Sequence, residues 1–148
     1  MTNPQNKKII LLVEDDPLIL RMYQTKLTND GYKVNTAFNG EEAIIQAKKE
    51  KPDLIFLDVM MPKMNGVETL KALKGDPQTA QIPVIILTNL GDKTDDIQKA
   101  KELGALDYMV KSQISLKQLS DKAKKITEAS VESLSTVAGG AKWDEFFK

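Results

Sequence analysis

The sequence predicts an α/β domain with a doubly wound, five-stranded parallel sheet in the order 2-1-3-4-5 and five helices. Three observations carry this expectation. Short apolar runs alternate along the chain with stretches whose apolar residues recur at helical spacing, and strand–helix alternation implies right-handed crossovers and a parallel sheet covered on both faces. Three of the runs, "IILLV", "LIFL" and "VIIL", are apolar without alternation, as strands buried on both faces should be, whereas "KVNTA" and "LDYMV" admit polar residues and suit sheet edges. The polar residues that follow the strands are of a few chemical types, and they fall at one edge of the sheet.

The first strand is expected over Ile9 to Val13, and the helix after it carries Leu20, Tyr23 and Leu27 on one stripe. Asp16 stands immediately before Pro17, a favoured first helical residue, so Asp16 reads as the N-cap of that helix. Gly31 in "NDGY" is where a helix C-terminus wants a left-handed residue. The second strand runs from Lys33 to Ala37, followed by a helix with Ile44 and Ala47; the third runs from Leu54 to Leu57, followed by one with Val67 and Leu70. The fourth strand, Val84 to Leu87, precedes a helix carrying Ile97, Ala100 and Leu103, which Gly104 in "ELGA" stops. The fifth strand, Leu106 to Val110, leads to a last helix marked by Leu116, Leu119, Ala123 and Ile126. The expected divisions are an N-terminal tail over 1–6, the domain over 7–128 and a C-terminal extension over 129–148.

Composition narrows the chemistry. The 148 residues hold 21 basic and 21 acidic side chains, so no global field draws the chain to nucleic acid or a membrane, and neither is an expected partner. Cysteine and histidine are both absent, which removes disulfides, thiol nucleophiles, Cys/His zinc sites and any histidine-based triad. No apolar run approaches the ~20 residues that span a bilayer, and "MTNPQNKK" lacks the apolar stretch of a signal peptide, so a cytoplasmic location is expected.

In the order 2-1-3-4-5 a crevice opens beyond the C-terminal ends of strands one and three. The residues there are Glu14, Asp15 and Asp16 after strand one, Asp58 after strand three, Thr88 after strand four and Lys111 after strand five. An acidic cluster beside another carboxylate repels itself unless a cation enters, and oxygen ligands without His or Cys point to Mg²⁺. Asp16 is read as the helix cap rather than as a third ligand.

The acidic pair in "LLVEDDP", the "LDVMMPKMNG" segment from Leu57 to Gly66, Thr88 in "VIILTN" and Lys111 in "DYMVK" together resemble the receiver domain of two-component response regulators, over roughly residues 7 to 128. The strand order 2-1-3-4-5 is that family's flavodoxin-like order, so the two readings are not independent. The resemblance implies a phosphoacceptor switch rather than an enzyme. Asp58 would receive a phosphoryl group from a sensor histidine kinase or a histidine phosphotransfer protein, in a phosphorelay, or from a small phosphodonor. Asp15 would be the direct Mg²⁺ ligand with Glu14 acting directly or through water, Asp58 and the Met60 backbone carbonyl completing the protein's share. Lys111 would pair first with Asp58 and then with phosphoryl oxygens, and the Thr88 hydroxyl would donate to the phosphoryl group.

The resemblance also implies how a signal leaves. Tyr108 occupies the place of the family's switch aromatic, and the face made by helix four, strand five and helix five is where family members pair with themselves or with a downstream partner. Met60, Asn89 and Leu90 stand at positions that tune phosphorylation and dephosphorylation; Asn89 replaces the family's usual small residue, and apolar Met60 and Leu90 imply slow self-dephosphorylation. Ser112 replaces the usual proline after Lys111. A cis bond there would cost ~2.5–4 kcal/mol instead of the ~0.5–1 kcal/mol of an X-Pro bond, so a trans bond and a locally altered loop are expected.

Two other functions compete. A Mg²⁺-dependent phosphatase working through an aspartyl phosphate would resemble haloacid-dehalogenase-like enzymes, which typically carry a second Asp two residues after the nucleophile, where this chain has Met60. A receiver-like interaction module that is never phosphorylated would not need the complete set of acids, Thr and Lys. About 20 residues follow the last helix, so a receiver of single-domain type, with output through protein binding or relay, is expected. In that extension Leu134 and Val137 continue an apolar stripe, "AGGA" breaks it at Gly139 and Gly140, and "WDEFFK" holds Trp143, Phe146 and Phe147. The helix is expected to run on to that break, and the aromatic end to dock on its own receiver, a partner or a second copy.

Overall fold

The computed structural model describes residues 7–61, 65–89 and 94–129. Its strands are β1 (Ile9–Val13), β2 (Lys33–Ala37), β3 (Leu54–Asp58), β4 (Val84–Thr88) and β5 (Asp107–Val110), all paired in parallel in the order β2-β1-β3-β4-β5. The helices are α1 (Pro17–Asn29), α2 (Gly40–Glu50), α3 (Gly66–Lys74), α4 (Thr94–Glu102) and α5 (Leu116–Glu128). The expected fold class and strand order are those observed.

The sheet sorts its side chains by strand alternation, because successive residues point to opposite faces. Ile10, Leu12, Leu54, Phe56, Ile85 and Leu87 pack with Leu20, Tyr23 and Leu27 of α1 and Leu119, Ala123 and Ile126 of α5. Leu11, Val13, Ile55, Leu57, Val84 and Ile86 pack on the other side with Ala43 and Ala47 of α2, Leu70 and Leu73 of α3, and Ile97 and Ala100 of α4. Burial on both faces is why the three central strands read as unbroken apolar runs. Asp107 is a polar exception in β5, fully buried toward α5, where its carboxylate accepts from Lys122 Nζ at 2.7 Å.

Local signals set the helix boundaries. Asp16 Oδ1 accepts from the backbone N–H groups of Leu18 and Ile19, at 2.9 and 3.4 Å, with Pro17 opening the helix as expected. Gly31 and Gly104 take φ of +102° and +104°, the left-handed backbone that only glycine adopts without strain. Capping boxes close on α3 through Asn65 and Glu68, and on α5 through Ser115 and Gln118. Among the described residues every peptide bond is trans, Lys111–Ser112 included, and Lys111–Gln113 form a 3₁₀ turn between β5 and α5. The expected continuation of α5 meets an extended residue at Ala129, φ −76° and ψ 148°, so the helix itself ends at Glu128. The rest of the extension, including Leu134, Val137 and the aromatic end, lies outside the described residues, as does the tail over 1–6.

Candidate functional site

Parallel strands deliver their C-terminal residues to one edge, and the polar groups there are tied to the chain that positions them. Glu14 continues β1 by one step, its N–H donating to the Ala37 carbonyl at 3.1 Å, which leaves its side chain 1 % exposed. Its Oε2 accepts from the Asp16 N–H at 3.1 Å, so the turn that caps α1 also orients this carboxylate. Asp15, between them, is exposed. Asp58 is the last residue of β3, 1 % exposed, and its Oδ1 accepts from the Met60 N–H at 3.1 Å.

Lys111 joins the two buried acids. Its Nζ lies 2.8 Å from Glu14 Oε1 and 3.0 Å from Asp58 Oδ2, with the side chain only 9 % exposed. The bond to Asp58 is the expected one; the bond to Glu14 is additional. Two buried carboxylates thus share a single, largely buried ammonium. Burial pushes the Asp58 carboxyl up to about 8, and the neighbouring Glu14 charge adds to the effect, outweighing Lys111. Burial alone would lower Lys111, but its bonds to Glu14 and Asp58 hold it above the ordinary lysine value. Oxygen atoms of Glu14, Asp15 and Asp58 come within 4.8 Å of one another. This is an all-oxygen donor set with surplus negative charge, which fits a hard divalent cation such as Mg²⁺.

The other expected residues surround this centre. Thr88 ends β4 fully buried, and its hydroxyl donates to the Asn89 carbonyl at 3.2 Å. Asn89 and the Met60 side chain are exposed beside the crevice. Leu90 lies outside the described residues. Tyr108, half-buried in β5, packs against the cluster that includes Ile86 of β4 and Ile97 of α4.

Two features of the site escape the sequence reading. Tyr23 of α1 is buried beneath it, and its phenol is raised above the ordinary value first by burial and then by the Glu14 charge. Gly66, the first residue of α3, sits on the backbone after β3: its N–H donates to the Val59 carbonyl at 2.8 Å, and a Cβ there would fall 2.6 Å from Val59 Cα and against the Asp58 carbonyl oxygen. In the sequence Gly66 stands only as the end of the "LDVMMPKMNG" segment, and nothing there marks it as the contact that sets the backbone of Asp58. Gly66→Ala is expected to cost about 1–3 kcal/mol by overpacking, read as a lower urea midpoint at unchanged slope.

Known proteins share this arrangement. A family model for the response regulator receiver domain matches residues 10–124. The alkaline phosphatase synthesis transcriptional regulatory protein PhoP of Bacillus subtilis is 46% identical over 106 residues, covering 72% of this chain and 42% of its own length. The chain therefore spans less than half the length of such curated relatives. Among solved structures, the chemotaxis protein CheY4 of Vibrio cholerae superposes with a TM-score of 0.74 at 31% identity, covering 81% of this chain and 98% of that one. The Mn(2+)-bound form of the response regulator Rcp1 superposes with a TM-score of 0.72 at 29% identity, covering 83% of this chain and 96% of that one. With a family model spanning most of the chain and the acid–Asp–Lys geometry at its strand ends, the chain belongs to the response regulator receiver domains of two-component systems.

Proposed function

We propose that Asp58 is the phosphoacceptor of a Mg²⁺-dependent switch, phosphorylated by a histidine kinase or a histidine phosphotransfer protein. The observation that carries this reading is the buried Glu14–Lys111–Asp58 triad with Asp15 beside it, two buried acids holding one ammonium. Glu14, Asp15, Asp58 and the Met60 carbonyl would hold the cation. A divalent ion bound there neutralises phosphoryl and carboxylate oxygens, which a carboxylate nucleophile needs in order to approach a charged donor. The Rcp1 structure is that of a receiver-like relative with Mn(2+) bound, which agrees with such a site.

In the transfer step an Asp58 carboxylate oxygen forms a bond to phosphorus while the P–N bond to the donor's imidazole breaks, its electron pair staying on nitrogen. Lys111, already 3.0 Å from Asp58, follows the new charge onto the phosphoryl oxygens. The Thr88 hydroxyl, bonded to the Asn89 carbonyl before transfer, rotates to donate to the phosphoryl group. Tyr108 then repacks against α4, biasing two arrangements of the α4–β5–α5 face that binds a downstream protein or a second copy. Met60, Asn89 and Leu90 set access for donor and water. The protein acts in the cytoplasm, where such kinases present their phosphohistidine.

Incubation with a small phosphodonor and Mg²⁺ should add one phosphoryl group by intact mass, and chelation or Asp58→Asn should abolish the addition. Persistence of the modification in Asp58→Asn would remove Asp58 from its role.

A further inference from the structure

Both carboxylate oxygens of Glu14 are committed, and to partners of different kinds. Oε2 accepts from the Asp16 N–H at 3.1 Å, a bond to the backbone of the turn that caps α1, so the fold itself fixes this oxygen. Oε1 accepts from Lys111 Nζ at 2.8 Å, the tip of a flexible four-carbon stem that can swing where a backbone cannot. The same Nζ lies 3.0 Å from Asp58 Oδ2. The shorter of the two bonds therefore goes to the acid that is not the expected phosphoacceptor.

Glu14 also belongs to the all-oxygen donor set, in which atoms of Glu14, Asp15 and Asp58 come within 4.8 Å of one another. An ammonium and a divalent ion drawn to one carboxylate repel each other over a few ångströms, and burial of Glu14 and Asp58 to 1 % exposure weakens the solvent screening between them. Lys111 is the member that can give way. Asp58 Oδ2 already faces its ammonium while Oδ1 is turned to the Met60 N–H, so on leaving Glu14 the lysine keeps a buried partner and does not have to reach water.

We infer that Lys111 contests Glu14 with the divalent cation, so that breaking the Glu14–Lys111 bond is part of cation binding and sets the affinity of the site. The inference rests on the metal-binding part of the function proposed above, and it does not depend on phosphorylation. Its consequence does. Once Glu14 serves the cation, the ammonium is left with Asp58 as its partner, at the carboxylate where the phosphoryl group is to arrive. Cation binding then readies Lys111 for phosphoryl oxygens as well as neutralising the acids.

Mn²⁺ binding to the full chain, followed at fixed pH through the electron paramagnetic resonance signal of the free ion and without phosphodonor, tests this apart from any modification of Asp58. Lys111→Met should bind Mn²⁺ about tenfold tighter than the parent, the low end of the coupling measured between close charges. Lys111→Gln keeps a hydrogen-bond donor for the two buried acids while removing the charge; it should shift affinity in the same direction, and it carries the test if Lys111→Met does not fold. The gain should be several-fold smaller in a Glu14→Gln background, where the contested carboxylate is gone. Equal gains in the two backgrounds would mean that the lysine charge acts only at a distance, and binding no tighter than the parent's would mean that Lys111 does not contest the site. Either result overturns the inference and leaves the cation reading standing, whereas a parent that binds no Mn²⁺ overturns both.

Discussion

Lys122→Met is expected to destabilise the domain by about 3–5 kcal/mol, because it leaves the Asp107 carboxylate buried without its cation. Asp107 is fully buried, with Oδ2 held by Lys122 at 2.7 Å and Oδ1 accepting its neighbour's Tyr108 N–H at 2.8 Å. The Lys122 stem packs along α5 at 8 % exposure, and Met restores most of that apolar volume, so the loss isolates the charge. Pairing the change with Asp107→Asn should recover most of the stability, since an amide is far cheaper to bury than an unpaired carboxylate. Urea denaturation of the two single variants and the double variant measures this as a coupling energy. A Lys122→Met protein within about 0.5 kcal/mol of the parent would show that the pair is not what fastens α5 to β5.

Asp58→Asn is expected to stabilise the metal-free protein, by on the order of 2 kcal/mol or more near pH 8. Asp58 is raised in the folded state to about 8, whereas an unfolded aspartate titrates at about 3.9. A raised folded value means that the carboxyl's contribution is fully present below about pH 4 and is lost as pH rises through about 8. The advantage of the Asn variant should therefore be near zero at pH 4, grow across that window and level off above it. Lys111 is not stranded by the substitution, because Glu14 Oε1 still accepts from it at 2.8 Å. The carboxylates held low by hydrogen bonds and nearby lysines, such as Asp30, Asp76 and Asp121, are common to both proteins and cancel in the difference. Added Mg²⁺ should close the gap by stabilising the parent alone, since it binds the folded acid cluster and not the unfolded chain. Thermal melts across this pH range, with and without the metal, read the whole pattern.

The sheet was legible because burial on both faces leaves a plain mark, the unbroken apolar runs of β1, β3 and β4. Helix starts and stops were legible where one residue type carries the geometry, as with Asp16 before Pro17, Gly31 and Gly104. Glu14, Asp15 and Asp58 were legible as a group because the strand order alone brings their positions to one edge. What the sequence did not disclose depends on side-chain reach across packed elements. Lys111 was expected on Asp58, but its second bond to Glu14 requires the actual depth of both acids. Asp107 and Lys122 lie 15 residues apart on an edge strand and a helix, and nothing in either local pattern marks them as partners. Gly66 owes its identity to the Val59 backbone rather than to its own φ. At the end of α5 the apolar spacing persists past Glu128 while the backbone turns extended at Ala129, and the residues that carry the expected continuation lie outside the described residues.

The most direct test of Asp58 as phosphoacceptor is reductive trapping. Borohydride converts an aspartyl phosphate to homoserine, so phosphodonor treatment followed by reduction and peptide mass spectrometry marks the residue that carried the group. The account predicts homoserine at position 58, only when a divalent cation is present and in no other peptide. Homoserine at Asp15 or elsewhere, or trapping at position 58 that proceeds equally well after chelation, would contradict it.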